Sequence, residues 1–357
     1  MPQKKYLVIG LMSGSSLDGI DLVATEFFRE KEVWKYVIKK SRFVPYPKSW
    51  TIKLSEAYHS SAAELEKLDK AYGNFLGKEV RKFVEENHLE PDFVSSHGHT
   101  IFHRPEDAFT LQIGNGQALA DACGLTVINQ FRSEDVAKGG QGAPLVPIGD
   151  KLLFSEYDCC LNIGGIANLS FERDGKRLAY DICIANQALN YIAGFKGLEM
   201  DFDGALAQNG KFIPSLFEAL ENHAYYQRMP PKSLGREFFE IDQKPLFADY
   251  QDQAENLAHT FVQHLVMRIK TEFDKWKVSR VLVSGGGALN AYLIRQLTRQ
   301  TKAEIIVADE VLLNFKEALI FAFLGVLKIR NEVNVLASVT GATSDSCSGE
   351  IWHPSLI

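Results

Sequence analysis

The chain has 357 residues, 24 % charged and 46 % apolar, with a formal net charge of −6. This is about two domains of ordinary globular composition, and the acidity argues against nucleic acid or an anionic membrane surface as partner. The cysteines (Cys123, Cys159, Cys160, Cys183, Cys347) are odd in number and lack C-x-x-C spacing, which speaks against a disulfide framework or zinc knuckle and for a reducing cytoplasm. No apolar stretch reaches the ~18 residues of a membrane span, and the apolar run at the N-terminus is too short for a secretion signal.

In chain order, the apolar run 6–11 reads as a strand. It leads into a turn rich in serine and glycine, in which Asp18 and Asp21 bracket Gly19, and a second apolar run follows at 20–24. Between 61 and 91, Leu65, Leu68, Tyr72, Phe75, Leu76, Val80, Phe83 and Val84 recur at three- and four-residue spacings. They predict one long amphipathic helix, opened by a capping box of Ser61 and Glu64. A short strand at 93–95 runs into SHGHT, and CCLNIGGIANLSFERDG (159–175) repeats the strand–turn–strand plan of 6–27. Leu257, Phe261, Leu265, Ile269 and Phe273 mark a second long helix; a strand at 278–284 then ends in Gly285, Gly286 and Gly287. Helices at 291–300 and 315–328 flank a strand at 304–308, and a Ser/Thr/Gly-rich tail follows. Alternating strands and helices throughout predict an α/β protein. The expected division is residues 1–140 and 141–357, one glycine hairpin in each, with the extreme C-terminus packing back on the first domain.

Glycine- and hydroxyl-rich turns present backbone N–H groups with little bulk, which suits an anionic phosphate chain. Ordinary hairpins would use the same residues. In the first turn the aspartates make sense beside phosphate mainly if a divalent cation is bound too. The triple glycine opens a helix, as a nucleotide site would. With Asp309 it loosely imitates a dinucleotide fingerprint, but the third glycine is replaced by Asn290 and the motif lies late in the chain. No G-x-x-x-x-G-K-[ST] occurs, so the nucleotide site is not a P-loop.

Two glycine hairpins and a late strand–GGG–helix resemble the layout of the sugar kinase, Hsp70 and actin superfamily: a two-domain, ribonuclease H-like α/β fold with a central interdomain cleft. The motifs MSGSSLDGID (12–21), SHGHT (96–100), LQIGNGQALA (111–120), FRSEDVAKGGQGAPLVP (131–147), NIGGIANLS (162–170), GGGALN (285–290), EALIFAFL (317–324) and SVTGA (338–342) resemble those of anhydro-N-acetylmuramic acid kinases, in order and over essentially the whole chain. The resemblance implies a cytoplasmic enzyme of cell-wall recycling that uses ATP and Mg²⁺. Such an enzyme opens the 1,6-anhydro bridge with water and phosphorylates the 6-oxygen, giving N-acetylmuramic acid 6-phosphate and ADP. Asp181 aligns with the catalytic aspartate. Gly14, Ser15, Ser16, Leu17, Asp18, Gly19, Ile20, Asp21, Gly164, Gly165, Asn168, Gly285, Gly286 and Gly287 are implied at ATP, with Asp18 orienting Mg²⁺. His97, Arg132, Asn186 and Glu317 are implied at the sugar, Arg132 facing its lactyl carboxylate.

Some residues depart from the family pattern. DICIAN (181–186) stands where the family has DTGPGN, which is expected to put the bulk of Ile182, Cys183 and Ile184 beside the sugar. His99 replaces a glutamine, giving H-x-H-x-x-x-H with His97 and His103, a metal-ligand spacing without an evident fourth ligand. Read from residues alone, Asp181 could cap the helix from Asn186 onward, and Arg132 could pair with Glu134 or Asp135. Kinases of another anhydrosugar such as levoglucosan, or a catalytically silent ATP- or sugar-binding homologue, stay open as alternatives, as does a homodimer.

Overall fold

The computed structural model describes residues 4–14, 16–235 and 237–355. By contacts the chain divides into two units, Met1–Leu153 with Phe315–Ile357, and Phe154–Asn314. Residues 315–357, expected in the second domain with only their end returning, group as a whole with the first.

In the first unit the hairpin β1 (Tyr6–Met12) and β2 (Gly19–Glu30) continues into β3 (Val33–Pro45). Parallel to β1 lie β4 (Phe93–Ser96) and, beyond it, β7 (Val127–Asn129); between them in sequence, β5 (His99–Arg104) and β6 (Phe109–Ile113) form a separate hairpin. Side chains alternate along β1. Ile9 and Leu11 meet Tyr72, Leu76, Val80 and Phe83 of the helix Ala62–Glu86, which Ser61 and Glu64 open with the expected capping box. On the other face Gly10 meets the helix Glu310–Ile329: a Cβ there would stand 2.1 Å from the Ala318 carbonyl oxygen and 2.8 Å from Ala322 Cβ. Because a backbone carbonyl cannot swing aside, Gly10→Ala is expected to cost at least about 1–3 kcal/mol, read as a lowered denaturant midpoint with unchanged slope.

The second unit repeats the plan. Its hairpin β8 (Cys159–Ile163) and β9 (Ile166–Arg173) continues into β10 (Lys176–Ile184). Parallel to β8 lie β11 (Arg280–Ser284) and then β12 (Glu304–Val307). Strand orders are β3-β2-β1-β4-β7 in one sheet and β10-β9-β8-β11-β12 in the other, both of the ribonuclease H-like type expected. The first is extended by β13 (Glu350–Trp352), antiparallel to β7, so the tail closes on the first sheet. Leu257, Phe261, Leu265, Ile269 and Phe273 of the helix Ala254–Trp276 fill the core under β8, β9 and β11. Among the described residues no helix is long and apolar enough to cross a membrane.

Candidate active site

In the second unit the register aligns a polar row. Asp181 of β10 stands opposite Asn168 of β9, Asn168 opposite Asn162 of β8, and Asn162 opposite Ser284 of β11. Paired residues share a face, so these four side chains run across four strands on one side of the sheet. Asn162 and Ser284 were not among the residues expected at the site, although Asn162 is a polar interruption in the apolar strand CCLNI. The β8–β9 turn holds Gly164 and Gly165, whose carbonyls accept from the backbone N–H groups of Asn186 (3.0 Å) and Ala185 (2.8 Å). Asn186 also donates its side-chain amide to the Ile163 carbonyl oxygen at 3.3 Å. That places Asn186, expected at the sugar, against the glycine turn.

The glycines here fall into two kinds. A Cβ on Gly285 (φ +83°) would come 2.6 Å from Asn162 Oδ1, and one on Gly287 would come 2.3 Å from Ile163 Cγ2, so the fold itself requires both. Around Gly165 and Gly286 the nearest atoms to a Cβ are 3.9 and 3.7 Å away, and both residues are exposed. Protein packing does not require them to be bare, and bare backbone suits the close approach of a nucleotide. The residues present thus fit a nucleotide. Asp309, half of the imitation dinucleotide fingerprint, accepts from Leu312 N–H at 2.8 Å at the start of the helix Glu310–Ile329, a cap.

Asp181 sits where the β9–β10 register slips between Asp181 and Cys183, a bulge that re-aims side chains. Its carboxylate accepts from Leu234 N–H at 2.8 Å, and its carbonyl from the Tyr225 hydroxyl at 2.7 Å. The helix Asn186–Gly194 has no side-chain cap, so the capping role does not hold. Burial pushes the Asp181 carboxyl up, and the Leu234 hydrogen bond partly opposes it. Ile182, Cys183 and Ile184 extend β10 and are buried in the second unit's core, at 2 %, 0 % and 0 % exposure. The bulk expected beside the sugar is therefore packed inside the unit: Ile182 is the extra residue of the bulge, and Cys183 and Ile184 pair with Ala167 and Ile166 of β9.

In the first unit, Arg132 donates through Nε (3.2 Å) and Nη2 (2.8 Å) to His97 Nε2 and through Nη1 to the Gly142 carbonyl (2.6 Å). Its acceptors are neutral. Glu134 pairs with Lys138, and Asp135 accepts from Gly142 N–H and the Thr340 hydroxyl, so neither makes the alternative ion pair with Arg132. Burial lowers Arg132 to about 10, opposed by Glu317. Burial and the adjacent guanidinium push His97 down to about 3, while its Nδ1 bonds the Gly98 carbonyl. Hence His97 is neutral and accepts at Nε2. His99 Nδ1 bonds Ser13 Oγ (3.0 Å), which bonds the Tyr46 hydroxyl (2.6 Å), which bonds that of Tyr72 (2.5 Å). His103 bonds Thr110. The three rings of H-x-H-x-x-x-H thus have separate partners, and among the described residues no group of three or more His, Cys, Asp and Glu is placed to hold a metal.

Ser15 lies outside the described residues. In the rest of the first turn, Ser16 Oγ donates to Asp18 Oδ1 at 2.5 Å, and Gly14 adjoins Ser16. Leu17, at φ +58°, packs on the first core, and Ile20 is fully buried within it. Gly19 makes room for Phe43 and the Val44 carbonyl. Asp21 lies beside Asp18 and Glu317: burial and these two carboxylates push it up to about 7. Burial raises Glu317 as well, opposed by Arg132 and Lys316. Asp18 and Asp21, crowded together, suit Mg²⁺ held largely by phosphate oxygens and water.

A sequence model described as anhydro-N-acetylmuramic acid kinase matches residues 6–354. The chain belongs to the anhydro-N-acetylmuramic acid kinase family. Relatives so named include one from Actinobacillus pleuropneumoniae serotype 7 (32 % identical, covering 98 % of this chain and 99 % of that one) and one from Methylorubrum populi (34 %, 97 % and 98 %). Among solved structures, a ROK family glucokinase from Streptomyces griseus in complex with glucose and AMPPNP is 12 % identical, covering 89 % of this chain and 98 % of that chain, at TM-score 0.38.

In this member of the anhydro-N-acetylmuramic acid kinase family, Asp21 has a testable signature. Its folded pKa of about 7 against the ordinary 3.8 means that the folded state binds the proton more tightly. Stability from this group falls as pH rises from 3.8 to about 7 and is level above it. His97 and His99, pushed down from 6.5 to about 3 and about 4, act in the opposite sense below pH 6.5. Asp21→Asn is therefore expected to be more stable than wild type at pH 7.5 without nucleotide and Mg²⁺, the gap closing toward pH 4. Melting curves of both proteins across that range check it; a gap independent of pH would refute the assignment.

Proposed function

We propose that this chain is an ATP-dependent kinase that opens 1,6-anhydro-N-acetylmuramic acid with water and phosphorylates its 6-oxygen, giving N-acetylmuramic acid 6-phosphate and ADP. The observation that carries the reading is the placement of Asp181: a carboxyl raised by burial, on the sheet face whose polar row leads to the glycine turn. Asp181 takes a proton from water as the water oxygen bonds to the anomeric carbon. The bond from that carbon to O6 breaks, and O6 keeps the electron pair. It then attacks the γ-phosphorus of ATP as ADP leaves, so no separate acid is needed. Gly164, Gly165, Asn168 and the 285–287 glycines hold the nucleotide. Asp18 and Asp21 would hold Mg²⁺, which supplies charge neutralisation at the phosphates.

Arg132 favours the muramic acid substrate over levoglucosan. A half-buried guanidinium bonded to neutral acceptors is suited to a carboxylate, and levoglucosan has none. His97 orients Arg132, and Glu317 accepts from a sugar hydroxyl. The test is to incubate the enzyme with ATP, Mg²⁺ and each anhydrosugar in ¹⁸O-water. A 6-phosphate carrying one label at the anomeric oxygen, from the muramic acid sugar, is expected; no phosphorylated product from it would overturn the reading.

A further inference from the structure

Asp181 is held by a segment 44 to 53 residues away in sequence. The Tyr225 hydroxyl donates to its carbonyl, its own N–H donates to the Lys232 carbonyl at 3.4 Å, and Leu234 N–H donates to its carboxylate. What fastens this segment is Lys232, whose side chain is 3 % exposed. Its ammonium lies 3.4 Å from Glu272 Oε1, 4.9 Å from the Tyr225 ring centre and 5.4 Å from that of Tyr180. Tyr180 immediately precedes Asp181. Its hydroxyl donates to Glu272 Oε2 at 2.7 Å and accepts from Trp276 Nε1 at 2.6 Å.

One ammonium thus bridges three parts of the same unit: the strand that carries the aspartate, the residue that bonds its carbonyl, and the helix Ala254–Trp276. Burying a lysine is costly unless it is paired, and a surface charge would serve a purely structural loop. Cation–π contact on two rings and an ion pair restrict the ammonium to one place, and the chain two residues on delivers the Leu234 N–H.

We propose that Lys232 is a positioning residue for Asp181: its buried ammonium, clamped by Glu272, Tyr180 and Tyr225, fixes the segment 225–234 whose Leu234 N–H and Tyr225 hydroxyl set where the aspartate carboxylate stands. The proposal rests on Asp181 being the base.

The test compares wild type, Lys232→Met and the double variant Lys232→Met/Glu272→Gln. The double variant leaves no unpaired buried charge, and its amide still accepts from Tyr180 and Trp276, so it keeps the fold. Both variants are expected to lose about thirtyfold in kcat through misplacement of the base, with KM for ATP unchanged. Losing the Leu234 donor raises the Asp181 pKa, so the acid limb of kcat moves up by about one pH unit. The same shift is expected in the ¹³C-carboxyl titration of Asp181, its signal assigned by absence in Asp181→Asn. Wild-type kcat and an unmoved titration in the folded double variant would overturn the proposal. The titration needs no turnover: a displaced carboxyl in the variants of a wild type that phosphorylates no anhydrosugar would overturn the reaction and uphold the positioning.

Discussion

Asp181→Asn is expected to lower kcat for the anhydro sugar by about a thousandfold, the middle of the range for removing a general base. The amide oxygen can still accept from Leu234 N–H, and the residues that follow stay in the core, so the fold is retained. The glycine turn is untouched, which leaves KM for ATP at its wild-type value. Only the removal of a proton from water is lost. In the wild type, activity falls as pH drops through the pKa of Asp181, and because burial raises that pKa the limb lies above the ordinary carboxylate range. Single-turnover measurements in ¹⁸O-water across pH check both statements. A variant with wild-type kcat would assign the base elsewhere.

Arg132→Ala is expected to raise KM for the muramic acid substrate by about a hundredfold, near the lower end of the cost of stripping one partner from a buried charge pair. Arg132→Lys should recover little, because an ammonium cannot reproduce the guanidinium's donors to His97 and Gly142 while facing a carboxylate. Levoglucosan supplies the control: lacking the carboxylate, it should be used as poorly by the variant as by the wild type. An equal loss for both sugars would mean that Arg132 supports the site without recognising the substrate.

The long helices were legible because their signals are local. The Ser61–Glu64 capping box and the three- and four-residue spacings of Ala62–Glu86 need no partner to be read, and the echo between 6–27 and 159–175 foretold that each unit would begin with a hairpin. β3 was not legible: the turn into it is made by Lys31 and Glu32 at φ +48° and +67°, residues that do not advertise a hairpin as Asn-Gly would. The run after Asp181 was misjudged because its placement depends on pairing with β9, which is a tertiary fact. At the site, Asp181, Arg132 and His97 could be nominated only through family resemblance. Lys232 and Leu234 carry no motif, and only the folded chain brings them to the aspartate.

The placement of Ile182, Cys183 and Ile184 has a consequence for motion. A base followed by a glycine-rich loop could drift toward its substrate; here it is carried on a strand whose next three residues are sealed in the core. Segments of that kind open only when much of their surroundings opens, so the amides of 182–184 belong with the slowest to exchange with solvent. On the proposed mechanism the base stands on a strand anchored in the core, and the sugar is the partner that must turn until its anomeric carbon meets the carboxylate.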